Sequence, residues 1–252
     1  VNDLVRRLAR VHGVVAVVLG GSRARGEHRP DSDYDYGLYY RGDLDVDALR
    51  TLAAEVATKH DVYRPGDWGP WVDGGAWLTV DGLAVDWIYR DLDRVRASWI
   101  DCQAGRYTVG QQPGHPLGFY SHAYAGEVAL CQVLADPTGA VSALREQARD
   151  YPRPLADALV AGLWEADFMI GAARKAPLDR VYVTGCLFRA VGVMAQALHG
   201  RAGRWTINEK GIVAAAAKLD IAPPGFAAAA EAAVTDADAA AALLGRVRAA
   251  TR

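Results

Sequence analysis

The sequence has little of what would mark a special environment. Its 252 residues contain three cysteines, Cys102, Cys131 and Cys186, widely separated and in no C-x-x-C or other metal-ligand spacing. That excludes a disulfide framework and a thiolate metal site, and an odd number of reduced thiols fits a cytoplasmic protein. An excess of one charge is missing as well. The 28 basic and 30 acidic side chains leave a formal net charge of −2, which argues against broad nucleic-acid binding without excluding one local basic pocket. The alanine-rich stretch 227–252 is interrupted by Glu231, Asp236 and Asp238, so no membrane span is expected there. The start "VNDLVRRLARVHG" carries charges through its apolar positions, so no signal peptide is expected, and Val1 in place of Met suggests a trimmed or renumbered start. No repeat recurs at a fixed period. His115 and His122 stand in no ligand spacing.

What is present is apolar surface in quantity: 51% of the residues are hydrophobic, enough to core one large domain or two smaller ones. Residues 3–12 read as a short amphipathic helix and "VVAVVLG" (14–20) as a buried strand. "YDYGLYY" (34–40) is a second strand. Asp43 or Asp45 can cap a helix running to about Lys59. A Gly/Pro/Trp loop follows, then two apolar runs around Asp81-Gly82, a hairpin pattern. A further helix is expected over 91–103. Past residue 118 strand patterns give way to Ala and Leu, with helices expected near 119–135, 138–150, 154–175, 180–199, 207–218 and 236–250. The sequence therefore predicts an α+β fold. A mixed-sheet domain with flanking helices over 1–104 is followed, after a Gly/Pro linker, by a helical bundle over 118–252.

Chemistry concentrates in "VVLGGSRARGEHRPDSDYDYGLYY" (17–40). The dinucleotide fingerprint fails, because Gly20, Gly21 and Gly26 do not give G-x-G-x-x-G. The ATPase phosphate loop fails too, because Glu27-His28 stand where Lys-Ser is needed. A third arrangement uses every part. Gly20-Gly21-Ser22 leave a strand end open, so backbone N–H groups and the Ser22 hydroxyl can hold phosphate oxygens. Asp33 and Asp35 follow at a spacing of two, which on a strand points both carboxylates to one face. Two aligned carboxylates repel and call for a cation, and oxygen ligands beside phosphate favour Mg²⁺. A pair of ions wants a third carboxylate, and Asp86 in "LAVDWIY" offers one amid apolar neighbours where an unpaired charge is costly. Arg23 and Arg25 either neutralise a triphosphate or face solvent. Trp68, Trp71 and Trp77 either pack, stack on a base, or line an acceptor pocket.

G-G-S, a spacer of this length, D-x-D and a later lone Asp on a strand resemble the DNA polymerase β-like nucleotidyltransferase superfamily. Gly-Ser-Arg-Ala-Arg-Gly (21–26) and Ser32-Asp33-x-Asp35 look most like its bacterial minimal and antibiotic-modifying members, over about residues 14–90. The resemblance implies that Gly20, Gly21 and Ser22 meet the nucleotide phosphates and that Asp33, Asp35 and Asp86 hold two Mg²⁺ ions. It also implies the reaction: a hydroxyl of a small acceptor, an aminoglycoside or lincosamide among the possibilities, attacks the α-phosphorus of a nucleoside triphosphate, ATP first, and pyrophosphate leaves. Such a reaction confers antibiotic resistance in those members. A protein or tRNA acceptor, as in toxin–antitoxin enzymes, and a catalytically silent nucleotide-binding regulator are the alternatives. The acceptor's proton needs a base. Asp86 is one candidate. Glu165 is another, since Ala161, Gly162, Phe168 and Met169 flank it at helical spacing and would desolvate it, and its segment resembles the one that supplies a catalytic Glu in aminoglycoside nucleotidyltransferases. Asp167 is its rival on the same helix. In "GRWTINEKG" (203–211) Lys210 can reach a phosphate, and Asn208 binds acceptor or ribose or caps the next helix. The oligomeric state has no mark in the sequence.

Overall fold

A computed structural model describes residues 2–26, 28–30 and 32–252, so Val1 and Glu27, both remarked on above, lie outside the described residues. The chain divides into two compact units, residues 1–100 with 109–150, and residues 101–108 with 151–252.

The first unit is a mixed sheet with helices. In chain order it holds α1 (Asn2–Leu8), β1 (Val14–Leu19), the single turn α2 (Gly21–Ala24), β2 (Tyr34–Tyr40), α3 (Val46–Val56), β3 (Lys59–Val62), β4 (Gly75–Val80), β5 (Leu83–Asp91), α4 (Leu92–Gln103, whose last three residues pass into the second unit), β6 (Val109–Gln112), β7 (His115–Tyr120), α5 (Ala123–Leu130), β8 (Gln132–Ala135) and α6 (Ala140–Ala148). Six strands pair in the order β3-β4-β5-β2-β1-β8, and β6 pairs with β7 as a separate hairpin. Only β2 and β5 run parallel in the large sheet. A parallel pair cannot be closed by a tight turn, so α3, β3 and β4 lie between them in sequence.

The period of two is legible along each central strand. Tyr36, Leu38 and Tyr40 of β2, Ala76 and Leu78 of β4, and Val85, Trp87 and Tyr89 of β5 enter one core with Val5 and Leu8 of α1 and Leu49, Leu52 and Ala53 of α3. Full burial of side chains of this size stabilises by about 1.5–3 kcal/mol each. Asp45 caps α3 by accepting from the Ala48 N–H at 2.9 Å. Asp81 and Gly82 take φ of 51° and 79° between Val80 and Leu83, the left-handed pair that a two-residue hairpin turn requires.

The second unit is helical: α7 (Arg153–Ala161), α8 (Leu163–Lys175), α9 (Arg180–Arg201), α10 (Ile212–Ala216), α11 (Phe226–Ala233) and α12 (Ala237–Ala250). Ile170 of α8, Leu187, Met194 and Leu198 of α9, Phe226 of α11 and Leu243 of α12 meet in its core. By length and composition α9 is apolar enough to cross a membrane, and 61% of that apolar window is buried in the protein.

Several sequence expectations need correcting. Residues 105–118 are not a plain linker, because β6 and β7 lie there, and strands do not end by residue 118, because β8 pairs with β1. The expected helix over 119–135 shrinks to α5 between two strands. The contacts of residues 109–150 therefore belong with the sheet unit rather than with a domain running from 118 to 252. The helix expected over 154–175 is two helices broken at Gly162, where a Cβ would stand 3.0 Å from the Tyr107 hydroxyl.

Candidate active site

The chain leaves β1 at Gly20, whose N–H donates to the Asp35 carbonyl at 2.7 Å. This bond continues the β1–β2 pairing and lays the turn against Asp35. Gly21 follows with φ of 61°, and a Cβ there would stand 1.7 Å from Asp35 Oδ2. Only glycine fits on both counts. Gly21 and Ser22 then begin the single turn α2, so their N–H groups are first-turn donors with no acceptor inside the helix. The Ser22 hydroxyl makes no hydrogen bond among the described residues.

Asp35 and Asp86 are partners in the parallel β2–β5 register. Adjacent strands lie about 4.8 Å apart, so the two carboxylates are neighbours on one face. The alternate residues Tyr36, Val85 and Trp87 go into the core on the other. Asp86 is half-buried there rather than enclosed in a buried strand. Asp33 is exposed and precedes the first residue of β2, so strand alternation does not govern it as the spacing predicted. It still acts on both partners. Burial, then Asp35 and Asp33, push the Asp86 carboxyl up to about 6. Burial and then Asp33 raise Asp35 above its ordinary value, with Glu127 adding to the rise and Arg25 and Arg23 opposing it.

Arg23 is half-buried and held by the loop rather than facing solvent. Its Nε donates to the Ser32 and Asp33 carbonyls at 3.0 and 3.1 Å, and its Nη2 to those of Ser32 and Pro30 at 2.6 and 3.4 Å. The guanidinium also lies 3.8 Å from the Tyr34 ring centroid. Arg23 is thus committed to the loop that presents Asp33. Arg25, at the C-cap of α2, is exposed.

The donor set fits a hard divalent cation in its chemistry. Asp35 and Asp86 supply only oxygens, both titrate upward, and neither accepts a hydrogen bond or ion pair from a described residue. A cation there would relieve their repulsion. As they stand, no three His, Cys, Asp or Glu side chains among the described residues are close enough to hold one ion together.

Further along the same face sits a feature that sequence reading passed over. Tyr39 and Arg90 are the register partners four residues beyond Asp35 and Asp86. Arg90 is buried and makes two bonds, at 2.6 and 2.7 Å, to Glu127 of α5. Counting by twos from Asp86 through Ile88 would have placed Arg90 on this face, but nothing in sequence points to Glu127.

The remaining candidates lie in the second unit. Glu165 is in the first turn of α8, and its carboxylate is gripped by Arg189 of α9 at 2.6 and 2.9 Å. The expectation of a carboxylate ringed only by apolar groups is corrected: its partner comes from the neighbouring helix, beyond the reach of spacing along α8. Asp167 pairs with Arg248 at 3.3 Å. Asn208 accepts from the Lys210 N–H at 2.9 Å, a local turn ahead of α10, and the Lys210 side chain is exposed.

Residues 1–67 match the model of the nucleotidyltransferase domain family. No curated protein matches the chain. Among solved structures, the chain is similar to a nucleotidyltransferase-like protein from Exiguobacterium sibiricum 255-15, at 11% identity and a TM-score of 0.46 over 98% of this chain and 74% of that one. The domain match covers β1, the Gly20–Ser22 turn and the D-x-D pair.

Proposed function

We propose that this chain transfers a nucleoside monophosphate from a nucleoside triphosphate, ATP first, to a hydroxyl of a small acceptor. The observation that carries this reading is the contact of Gly21 with Asp35 beside Asp86. A glycine turn with free first-turn donors touches the half-buried Asp35, which neighbours Asp86 in the strand register; the turn and Asp35 lie inside the segment matched as a nucleotidyltransferase domain, and Asp86 lies beyond it. In this reading the N–H groups of Gly21 and Ser22 and the Ser22 hydroxyl hold phosphate oxygens, and the exposed Arg25 meets the triphosphate's charge. Arg23 keeps Asp33 in place from behind. Mg²⁺, held by Asp35 and Asp86 with Asp33, would supply charge neutralisation at the phosphates and a more acidic acceptor hydroxyl. The acceptor oxygen bonds to the α-phosphorus, and the bond from that phosphorus to the bridging oxygen breaks. Pyrophosphate leaves with the electron pair, and the hydroxyl proton passes to Asp86 and on to solvent. The balanced charge of the chain favours a small acceptor over tRNA.

The test is a screen of the pure protein with Mg²⁺ and each α-labelled nucleoside triphosphate against aminoglycosides, lincosamides, tRNA and the protein itself. Label on one acceptor, matched by pyrophosphate release and lost in Asp35→Asn, is expected. Tight nucleotide binding with neither product would make the chain a regulator. Transfer surviving in Asp35→Asn would overturn the site.

A further inference from the structure

The order of the strands carries information about the acceptor. Across the sheet from β1 to β3, one face presents the Gly20–Ser22 turn, Asp35, Asp86, Trp77 and Asp61 in turn. Trp77 is the direct cross-strand partner of Asp86, and such partners share a face with Cβ atoms about 4.5–5.5 Å apart. Ala76 and Leu78 on either side of it turn into the core. The phosphate-holding turn therefore flanks the carboxylates on one side. In-line displacement places the entering oxygen opposite the departing pyrophosphate, so the acceptor arrives from the other side, where the first side chain is Trp77.

Trp77 does not stand alone. Trp68 stacks on it with centroids 3.9 Å apart and planes 9° from parallel, and Tyr63 meets both edge-on at 5.5 and 5.6 Å. The two indoles are half-buried and Tyr63 is 36% exposed. Neither indole N–H has an acceptor among the described residues. The loop that brings Trp68 over is fixed from beneath by Gln112, 5% exposed. Its amide oxygen accepts from the N–H groups of Trp71 and Val72 at 3.1 and 3.0 Å, and its Nε2 donates to the Trp68 carbonyl at 2.6 Å. The rings pack on one another, yet they are not sealed into the core. Instead a braced, partly open aromatic cluster sits beside the reacting carboxylates.

We propose that Tyr63, Trp68 and Trp77 form the acceptor subsite, and that the acceptor offers it a flat ring or the C–H face of a sugar ring. The location rests on the transferase reading; ring binding is measurable without it. The experiment is ligand-observed saturation-transfer NMR without nucleotide, with phenyl β-D-glucoside as the probe and glycerol as the ring-free control. Wild type should bind the glucoside saturably and glycerol not at all. Trp77→Ala and, independently, Trp68→Ala should weaken binding about tenfold or more, and Trp77→Phe should restore most of it. Asp86→Asn should leave binding unchanged while abolishing transfer. Ring binding without transfer to any acceptor would sink the transferase reading and keep the platform. Unchanged affinity in both alanine variants, binding of glycerol equal to that of the glucoside, or no saturable binding by wild type would overturn the platform. So would transfer to a screened acceptor with an unaltered KM in Trp77→Ala.

Discussion

Asp86→Asn should make the protein more stable and catalytically dead at once. The Asp86 carboxyl is pushed up to about 6 from its ordinary 3.8, first by burial, then by Asp35 and Asp33. At 1.36 kcal/mol per pKa unit, a rise of about two units bounds the cost of the charged form at about 3 kcal/mol. Asp86 is only half-buried, and solvent screens part of that cost, so about 1–2 kcal/mol is the expected gain. The sign follows from linkage. A carboxyl whose folded pKa lies above its unfolded one costs stability in full above pH ~6, and the cost fades as pH falls toward 3.8. In EDTA at pH 7.5, the variant should therefore melt roughly 3–6 °C above wild type. The gap should close as the pH is lowered from 6 toward 4. Mg²⁺ should raise the wild-type Tm more than that of the variant, because a ligand bound only by the native state stabilises it. Scanning calorimetry across pH reads all of this. A variant no more stable than wild type at pH 7.5, or a gap that does not change with pH, would refute the idea of repelling, unpartnered carboxylates.

Gly21→Ala sets a methyl group against Asp35 Oδ2 at a φ of 61°, costing at least 1–2 kcal/mol of backbone strain, and calorimetry should show nucleotide affinity at least about tenfold lower; unchanged affinity would reduce the turn to a structural bend. Arg23→Ala removes four hydrogen bonds to the carbonyls of Pro30, Ser32 and Asp33, so amide hydrogen exchange over 32–34 should quicken and transfer should slow. Arg23→Lys should recover little of either, because an ammonium lacks the planar fork. Glu165→Gln breaks the two-bond pair with Arg189 and should lower the Tm by an amount equivalent to about 1–3 kcal/mol while leaving transfer near wild type. A fall of about 10²–10⁴ in kcat would instead restore Glu165 as the base.

What could be read in the sequence was local. β1 and β2 showed as apolar runs, Asp45 as a cap, and Asp81-Gly82 as a turn, because each depends on neighbours within a few residues. The Gly20–Ser22 turn was legible because one buried strand and one glycine turn define it, whereas Asp86 was reached from the chemistry of a metal pair that wants a third carboxylate and from the family resemblance, and the register then set it beside Asp35. What stayed hidden depends on partners far along the chain. β8 is four residues long and becomes a strand only because β1 has a free edge. Glu165 looked apolar in its surroundings because Arg189 comes from another helix. Nothing in the sequence tied Arg23 to the Asp33 loop, because its three acceptors are the backbone carbonyls of Pro30, Ser32 and Asp33, which any sequence has. Trp77 was one of three tryptophans with equal claims until the register set it opposite Asp86.

The late return of β8 bears on how the chain is made. β1 is complete at residue 19, but its outer edge is covered only once residues 132–135 have been synthesised. At roughly 5–20 residues per second, that edge waits about 6–23 s on the ribosome. An uncovered strand edge is a template for pairing with another chain, so this interval is when the nascent protein is most exposed to aggregation. The second unit is also interrupted, since residues 101–108 belong with 151–252. Neither half can be finished, or cut out as a continuous piece, before the ribosome has passed residue 150.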